Sequence, residues 1–247
     1  MVQRITVTAN QLKEECLLLT SEQIHYLRRV LRLNSGDRFI AQDGRGKQWL
    51  VMLSDQVDQA SIEQVISADL SAVGPATGPL RLAAALPKGN SFDQVVRQAT
   101  ELGVTHIYPL MSDRTLLNPS ASRLTRWHRI AQEASEQCER ATTPEIFSPT
   151  TLQQFVIESN WSGIRYICAT RQNSPHLLSK IQHDLVSVGS HDVTLLVGPE
   201  GGWTPGEITV ATDSGYEIVS LGTAILRAVT ASVTALSLVG AAKELLI

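Results

Sequence analysis

The sequence has little cysteine: three residues in 247, at Cys16, Cys138 and Cys168. They lie far apart and form no C-x-x-C pair, which argues against a disulfide framework or a zinc knuckle. They read as small buried hydrophobes in a reducing compartment. None of the six histidines stands in an H-x-x-x-H or other ligand spacing, so no metal is expected. No apolar run approaches the length of a membrane span, and no apolar signal core follows Met1-Val2-Gln3-Arg4. A cytoplasmic protein without a membrane partner is therefore expected. There is no G-x-S-x-G, so nucleophilic hydrolysis has no support. There is no G-x-G-x-x-G and no P-loop, which disfavours dinucleotides and nucleoside triphosphates. An excess of one charge is lacking too. The net charge of −3 argues against a general polycation, while a local basic face would still suffice for nucleic acid.

What is present describes an ordinary globular chain, 43% hydrophobic and 18% charged, long enough to bury a core without staples. Residues 1–72 are β-rich. Arg4 to Val7, Arg38 to Ala41, Lys47 to Leu53 and Ser61 to Ile66 are short β-prone runs, with turns at Gly36-Asp37 and Asp43-Gly44-Arg45-Gly46. One helix interrupts them, capped by Thr20 or Ser21, with Ile24, Leu27, Val30 and Leu31 at helical spacing. A small barrel with one helix is expected. Residues 71–79, rich in Gly, Pro, Ala and Ser, read as a linker.

From residue 80 to 247 strands alternate with helices. Leu80 to Leu86, Thr105 to Met111, Ile164 to Ala169, Val193 to Val197 and Glu217 to Leu221 read as strands. Asn90 or Ser91 starts a helix with Phe92, Val95, Val96, Ala99 and Leu102 on one face, ended by Gly103. Ser122 to Arg140 and Val229 to Leu246 are further helices. This order implies an α/β domain with a mostly parallel sheet covered on both faces.

The second domain is organised around residues 193–231. Gly198-Pro199-Glu200-Gly201-Gly202-Trp203 follows a buried strand, and Thr204-Pro205-Gly206-Glu207 then opens a helix with a capping box. A second strand runs into Gly222 and Ile225-Leu226-Arg227. Loops beyond the carboxyl ends of parallel strands are where ligands bind. No lysine follows to reach a phosphate, so a neutral or zwitterionic adenosine ligand held by backbone groups fits better. The same glycines would equally serve a tight connection. Trp203 would either stack on a ligand or anchor its loop. Arg126, Arg129, Glu133, Gln137 and Arg140 share one helix face, and Arg28, Arg29 and Arg32 stand beside His25 and Tyr26. The first group suits RNA phosphates, a subunit interface or a solvated, salt-bridged face, and the second RNA phosphates and bases or a solvated face. Lys88, in a loop between strand and helix, has the same two readings.

Leu196-Val197-Gly198-Pro199-Glu200-Gly201-Gly202-Trp203 with Glu207, followed by Leu221-Gly222, Ile225-Leu226-Arg227 and Thr230-Ala231, resembles the RsmE family of SPOUT-class ribosomal RNA methyltransferases. His25 to Leu33, Leu86-Pro87-Lys88-Gly89, Glu101-Leu102-Gly103-Val104 and Glu133-Ala134 also match, so the resemblance spans the chain. It implies a PUA-like β-barrel followed by an α/β domain tied in a trefoil knot. It also implies a homodimer that binds S-adenosylmethionine, without a metal, and methylates N3 of a uridine in 16S ribosomal RNA or the small ribosomal subunit. Carried over residue by residue, the cofactor site comprises Ala169, Thr170, Leu196, Gly198, Pro199, Glu200, Gly201, Gly202, Leu221, Gly222, Ile225, Leu226 and Arg227. Arg227 is the candidate for stabilising charge on the uracil; Glu200 is a weaker one for base or ligand orientation, or else bonds backbone N–H groups of its own loop. Arg4, Arg28, Arg29, Arg32, Lys88 and Arg140 are expected on the RNA. The family pattern L-G-x-R-I-L-R-x-E-T-A is broken at two places: Ala224 replaces Arg and Val229 replaces Glu.

Overall fold

The computed structural model describes residues 2–67, 78–115, 120–158, 162–170, 172–189 and 191–245. The expected linker thus lies outside the described residues, except for Gly78 and Pro79. The chain divides into two compact units: Met1–Gly74 with Gln132–Thr143, and Pro75–Ala131 with Pro144–Ile247.

The first unit contains five strands: β1 (Arg4–Thr6), β2 (Cys16–Leu18), β3 (Arg38–Gln42), β4 (Gln48–Leu53) and β5 (Gln59–Ser67). They form one sheet in the order β1-β3-β4-β5-β2, parallel only at β1–β3. The two ends of this path are not joined by a named ladder, so the sheet is an open form of the expected barrel. Alternate residues of the strands, among them Ile5, Leu17, Phe39, Val51 and Leu53, close over a core shared with Leu27. β2 was not anticipated, because its three residues are too few to show alternation.

Helix α1 (Ser21–His25) is capped by Thr20, whose hydroxyl accepts from the Gln23 backbone at 3.2 Å while the Gln23 side chain accepts from the Thr20 backbone at 2.9 Å. It continues as a π turn, Tyr26–Val30, closed by the Leu31 N–H to the Tyr26 carbonyl at 2.9 Å. This wider turn breaks the 3.6-residue period. Val30, expected on the apolar face, is 56% exposed, while Leu27 is fully buried.

The second unit is a parallel sheet of β6 (Leu80–Ala85), β7 (His106–Met111), β8 (Glu145–Ile146), β10 (Ile164–Cys168), β11 (Val193–Val197) and β12 (Glu217–Val219), in the order β12-β10-β11-β6-β7-β8. A short β9 (Thr150–Thr151) also pairs with β7. Helices α2 (Ser91–Glu101), α3 (Ala121–Gln137), α5 (Leu177–Ser187) and α7 (Ala228–Glu244) supply buried side chains to one face. Helices α4 (Leu152–Glu158) and α6 (Pro205–Asp213) supply them to the other. β6 alternates between the two: Leu80, Leu82 and Ala84 face the first core, Ala83 and Ala85 the second. Strands β8 and β9 and helices α4 and α5 add to what the periodicity showed.

Beyond β12 the chain is held from two sides by one loop. The Val219 carbonyl accepts from Ala169 N–H at 3.1 Å. The next residue points the opposite way: Ser220 donates to the Pro175 carbonyl and accepts from Leu177 N–H, both at 2.9 Å. Residues 219–220 are thus bracketed by Ala169 on one side and by Pro175 and Leu177 on the other, at the place where the trefoil knot implied by the resemblance crosses, a feature that general rules of topology would not propose.

Lys243 on α7 is only 3% exposed, and its ammonium donates to the Gly78 and Pro79 carbonyls at 3.3 and 3.4 Å. Burial pushes its pKa down from 10.5 to about 8. Between those values the unfolded chain binds the proton and the folded chain does not. Stability from this residue is thus fully present above the unfolded value and lost as pH falls towards about 8. Urea unfolding of the protein should show a rise on the order of 3 kcal/mol across that window, and Lys243→Met should remove the rise.

Candidate active site

Strands β12, β10 and β11 are neighbours, so their carboxyl-terminal loops stand side by side. Together they enclose a cavity of about 440 Å³, within the range of small-ligand sites. Cys168, Ala169, Thr170 and Gln172 form one wall, residues 197–203 a second, and Leu221, Gly222 and 224–226 a third, with Ala228 and Ala231 from the start of α7. Pro205 and Ile208 of α6 and Arg114, just beyond β7, complete the wall.

Local chemistry explains the shape. Gly202 has φ +71°, a left-handed conformation suited to glycine, and its N–H closes a 2.8 Å turn to the Pro199 carbonyl. Gly198 answers a different need. A Cβ there would lie 3.0 Å from the Trp203 ring, so glycine lets the indole pack flat against the strand end. Trp203 is 7% exposed and its Nε1 donates to the Cys168 carbonyl at 3.2 Å. It both anchors the loop and forms part of the wall.

Helix α6 fixes the far end of the loop. Thr204 Oγ1 accepts from Glu207 N–H at 3.2 Å, and Glu207 Oε2 accepts from Thr204 N–H at 2.7 Å. The second carboxylate oxygen of Glu207 accepts from Asp113 N–H at 3.0 Å, and Thr204 Oγ1 donates to Asp113 Oδ2 at 3.0 Å. Buried Glu207 is thus a clamp between the α6 start and the turn after β7.

Among the described wall residues two carry charge, Arg114 and Glu200; the rest offer backbone, small polar or apolar surface. Burial pushes the Cys168 thiol up to about 12. It stays protonated and is no nucleophile. No cluster of metal-ligating side chains occurs among the described residues.

Residues 75–240 match a family described as RNA methyltransferase domain, and residues 19–57 one described as RNA methyltransferase PUA domain. The Ribosomal RNA small subunit methyltransferase E of Synechocystis is 42% identical over 99% of this chain and 79% of its own length. The chain belongs to the RsmE family. Two solved structures resemble it throughout. A putative methyltransferase of Legionella pneumophila in complex with bound SAM is 28% identical, with TM-score 0.84 over 98% of both chains. A Ribosomal RNA small subunit methyltransferase E of Neisseria gonorrhoeae bound to S-adenosyl methionine is 27% identical, with TM-score 0.82 over 100% of this chain and 98% of that one.

Within this RsmE-family frame, eleven of the thirteen residues expected at the cofactor lie on the wall: all but Leu196 and Arg227. Leu196 is fully buried in the core facing α4 and α6, and its neighbour Val197 reaches the cavity instead. Arg227 is exposed at the N-cap of α7, and its side chain makes no hydrogen bond or ion pair among the described residues. Glu200 is exposed on the wall and makes no hydrogen bond within its own loop. At the two departures from the family pattern, Ala224 faces the cavity and Val229 packs against the domain core.

The expected RNA contacts separate into two groups. Arg29, Arg32 and Lys88 are exposed. Arg4 pairs with Glu139 at 3.0 Å, with 13% of its side chain exposed. Arg28 donates to the Ser54 carbonyl at 2.9 Å, and Arg140 donates to Thr142 Oγ1 at 3.5 Å, its pKa lowered by burial. On α3, Arg126 pairs with Asp93 of α2 at 2.7 Å. Arg114 and Gln172 are wall residues that sequence reasoning did not pick out. The one hint for Arg114 was its place directly after a strand that ends on the ligand side.

Proposed function

We propose that the chain uses S-adenosylmethionine to methylate N3 of a uridine in small-subunit (16S) ribosomal RNA, as a cytoplasmic homodimer. Residues 1–72 would dock the RNA and residues 80–247 transfer the methyl group. The observation that carries the reading is the cavity at the ends of three adjacent strands, beside the threaded segment. Its walls suit a bent adenosine ligand: backbone groups at Gly198, Gly201, Gly202 and Gly222 can approach closely, and there is no lysine for a phosphate chain. The two relatives with bound S-adenosylmethionine support the same assignment. The homodimer and the uridine N3 target rest on the family resemblance. No helix among the described residues is long and apolar enough to cross a membrane.

When bound, S-adenosylmethionine supplies an electrophilic methyl on sulfur. The protein's task is to bring a nitrogen to it in line and to manage the charge. N3 lies on the Watson–Crick edge and carries a proton, so the uridine must be unpaired and enter the site. Loss of that proton leaves negative charge on the uracil. Arg227, at the head of α7 with the uncapped first-turn N–H groups behind it, can donate to a carbonyl oxygen and hold that charge. Glu200, exposed on the wall, can accept the proton or orient the ligand.

Mass spectrometry of small-subunit ribosomal RNA from cells lacking the protein should show the loss of one 3-methyluridine. An unchanged 3-methyluridine level, or loss of a 2′-O-methyl group instead, would reject the N3 assignment. Docking can be tested separately. Replacing both Arg29 and Arg32 with Ala should weaken RNA binding and reduce its salt slope by about 1–2. A slope equal to the wild type would remove them from the RNA surface.

A further inference from the structure

Gly201 has no left-handed backbone to explain it: its φ lies outside the region that favours glycine, unlike that of Gly202. A Cβ at Gly201 would meet Arg114, with its Cδ 3.1 Å away. The glycine therefore makes room for the stem of an arginine 87 residues earlier, and the Arg114 guanidinium donates to the Gly201 carbonyl. The arginine is also held from its own side. Thr115 N–H donates to the Ser112 carbonyl at 2.9 Å, and the hydroxyls of Ser112 and Thr115 meet at 2.8 Å. Asp113, between them, is gripped by Glu207 and Thr204 as described above. Two separate parts of the chain are shaped to put one cation on the cavity wall.

The remaining charges give that cation a purpose. Arg114 is the only cation among the described wall residues, and Glu200, next to Gly201 in sequence, is the only anion. A ligand with an amino-acid end carries one group of each sign beyond its sulfonium. Arginine presents five N–H donors in a planar fork, and the Gly201 carbonyl does not exhaust them. The remaining donors match a carboxylate, which can be held by two parallel bonds.

We propose that Arg114 is a binding residue of this site that holds the α-carboxylate of the methyl donor. The assignment rests on the S-adenosylmethionine reading given above. It makes Arg114 the residue that distinguishes a whole amino-acid-bearing ligand from an adenosine thioether without that end. Gly201 then leaves room for the Arg114 stem at this position of the wall.

Two ligands separate this role from a structural one. S-adenosylmethionine has the carboxylate, while 5′-methylthioadenosine keeps the adenosine and the sulfur but lacks the amino-acid end. Titration calorimetry on the full-length protein should show that Arg114→Ala weakens S-adenosylmethionine binding about 10- to 100-fold, as expected for a charge-assisted pair. Its affinity for 5′-methylthioadenosine should stay within about twofold of the wild type. Arg114→Lys, which keeps the charge and loses the fork, should fall between the two. Equal losses for both ligands would overturn the proposal and reduce Arg114 to a support of the loop. Unchanged S-adenosylmethionine affinity with weakened RNA binding would also overturn it and place Arg114 on the RNA. A wild-type protein that binds neither ligand would overturn the S-adenosylmethionine reading itself, and this assignment with it.

Discussion

Trp203→Ala is expected to destabilise the second unit by roughly 3–5 kcal/mol and to abolish S-adenosylmethionine binding. The indole is a large, nearly buried side chain in the core facing α4 and α6. Its removal would leave a void directly beneath the glycine loop, because Gly198 is shaped around the ring. It would also delete the bond that ties the loop to the end of β10. Both losses act on the cavity wall, so stability and ligand affinity should fall together. Urea unfolding gives the first quantity and titration calorimetry the second. Trp203→Phe keeps most of the ring but not the N–H, and should cost about 1 kcal/mol through the lost hydrogen bond. A Trp203→Ala protein of wild-type stability would show that the ring is dispensable and that another contact holds the loop.

Arg227→Ala should instead separate binding from chemistry. Its side chain is exposed at the start of α7 and does not form part of the donor cavity. Removing it is expected to leave the S-adenosylmethionine dissociation constant within about twofold while lowering kcat about 10²- to 10³-fold, the usual effect of losing one donor to a developing negative charge. Single-turnover methylation of ribosomal RNA beside calorimetry of the donor would measure both. Full methyl transfer by the variant would remove Arg227 from the mechanism. A parallel fall in donor affinity would move it into the cofactor pocket. Arg227 also sits between the two departures from the family pattern. Ala224 adds no charge to the cavity and Val229 serves the core, so neither supplies a partner to Arg227.

Much of this was legible in the chain. The parallel sheet could be read because its strands are continuous apolar runs, as at Val193 to Val197, bounded by Gly and Pro. The capping box at Thr204 and Glu207 appeared as expected because its signal is local. What escaped was either too short, too polar or too distant. β2 and β8 hold three and two residues, and α5 presents Ser179, Lys180, Gln182 and His183 between its buried leucines and isoleucine. Val30 leaves the apolar face because it lies inside the π turn, whose wider turn departs from the 3.6-residue period. Leu196 and Val197 exchanged roles because neighbouring strand residues point to opposite faces. Arg114 could not be paired with Gly201 from spacing, since only the fold brings the two together. Threading of Val219 and Ser220 has no local signature at all; it entered through family likeness.

That threading also governs how the protein can come apart. A strand at the edge of an ordinary sheet can peel away, but β12 is followed by chain bracketed by Ala169, Pro175 and Leu177, which in a trefoil knot must be drawn back past them before the strand is free. The loop lends Ala169, Thr170 and Gln172 to the cavity, and the threaded segment lends Leu221, Gly222 and Ile225. A ligand lying between them bars the exit. Occupancy should then lengthen the lifetime of the folded state beyond what the equilibrium gain from binding provides, by slowing escape itself. The methyl donor would be a latch as well as a substrate.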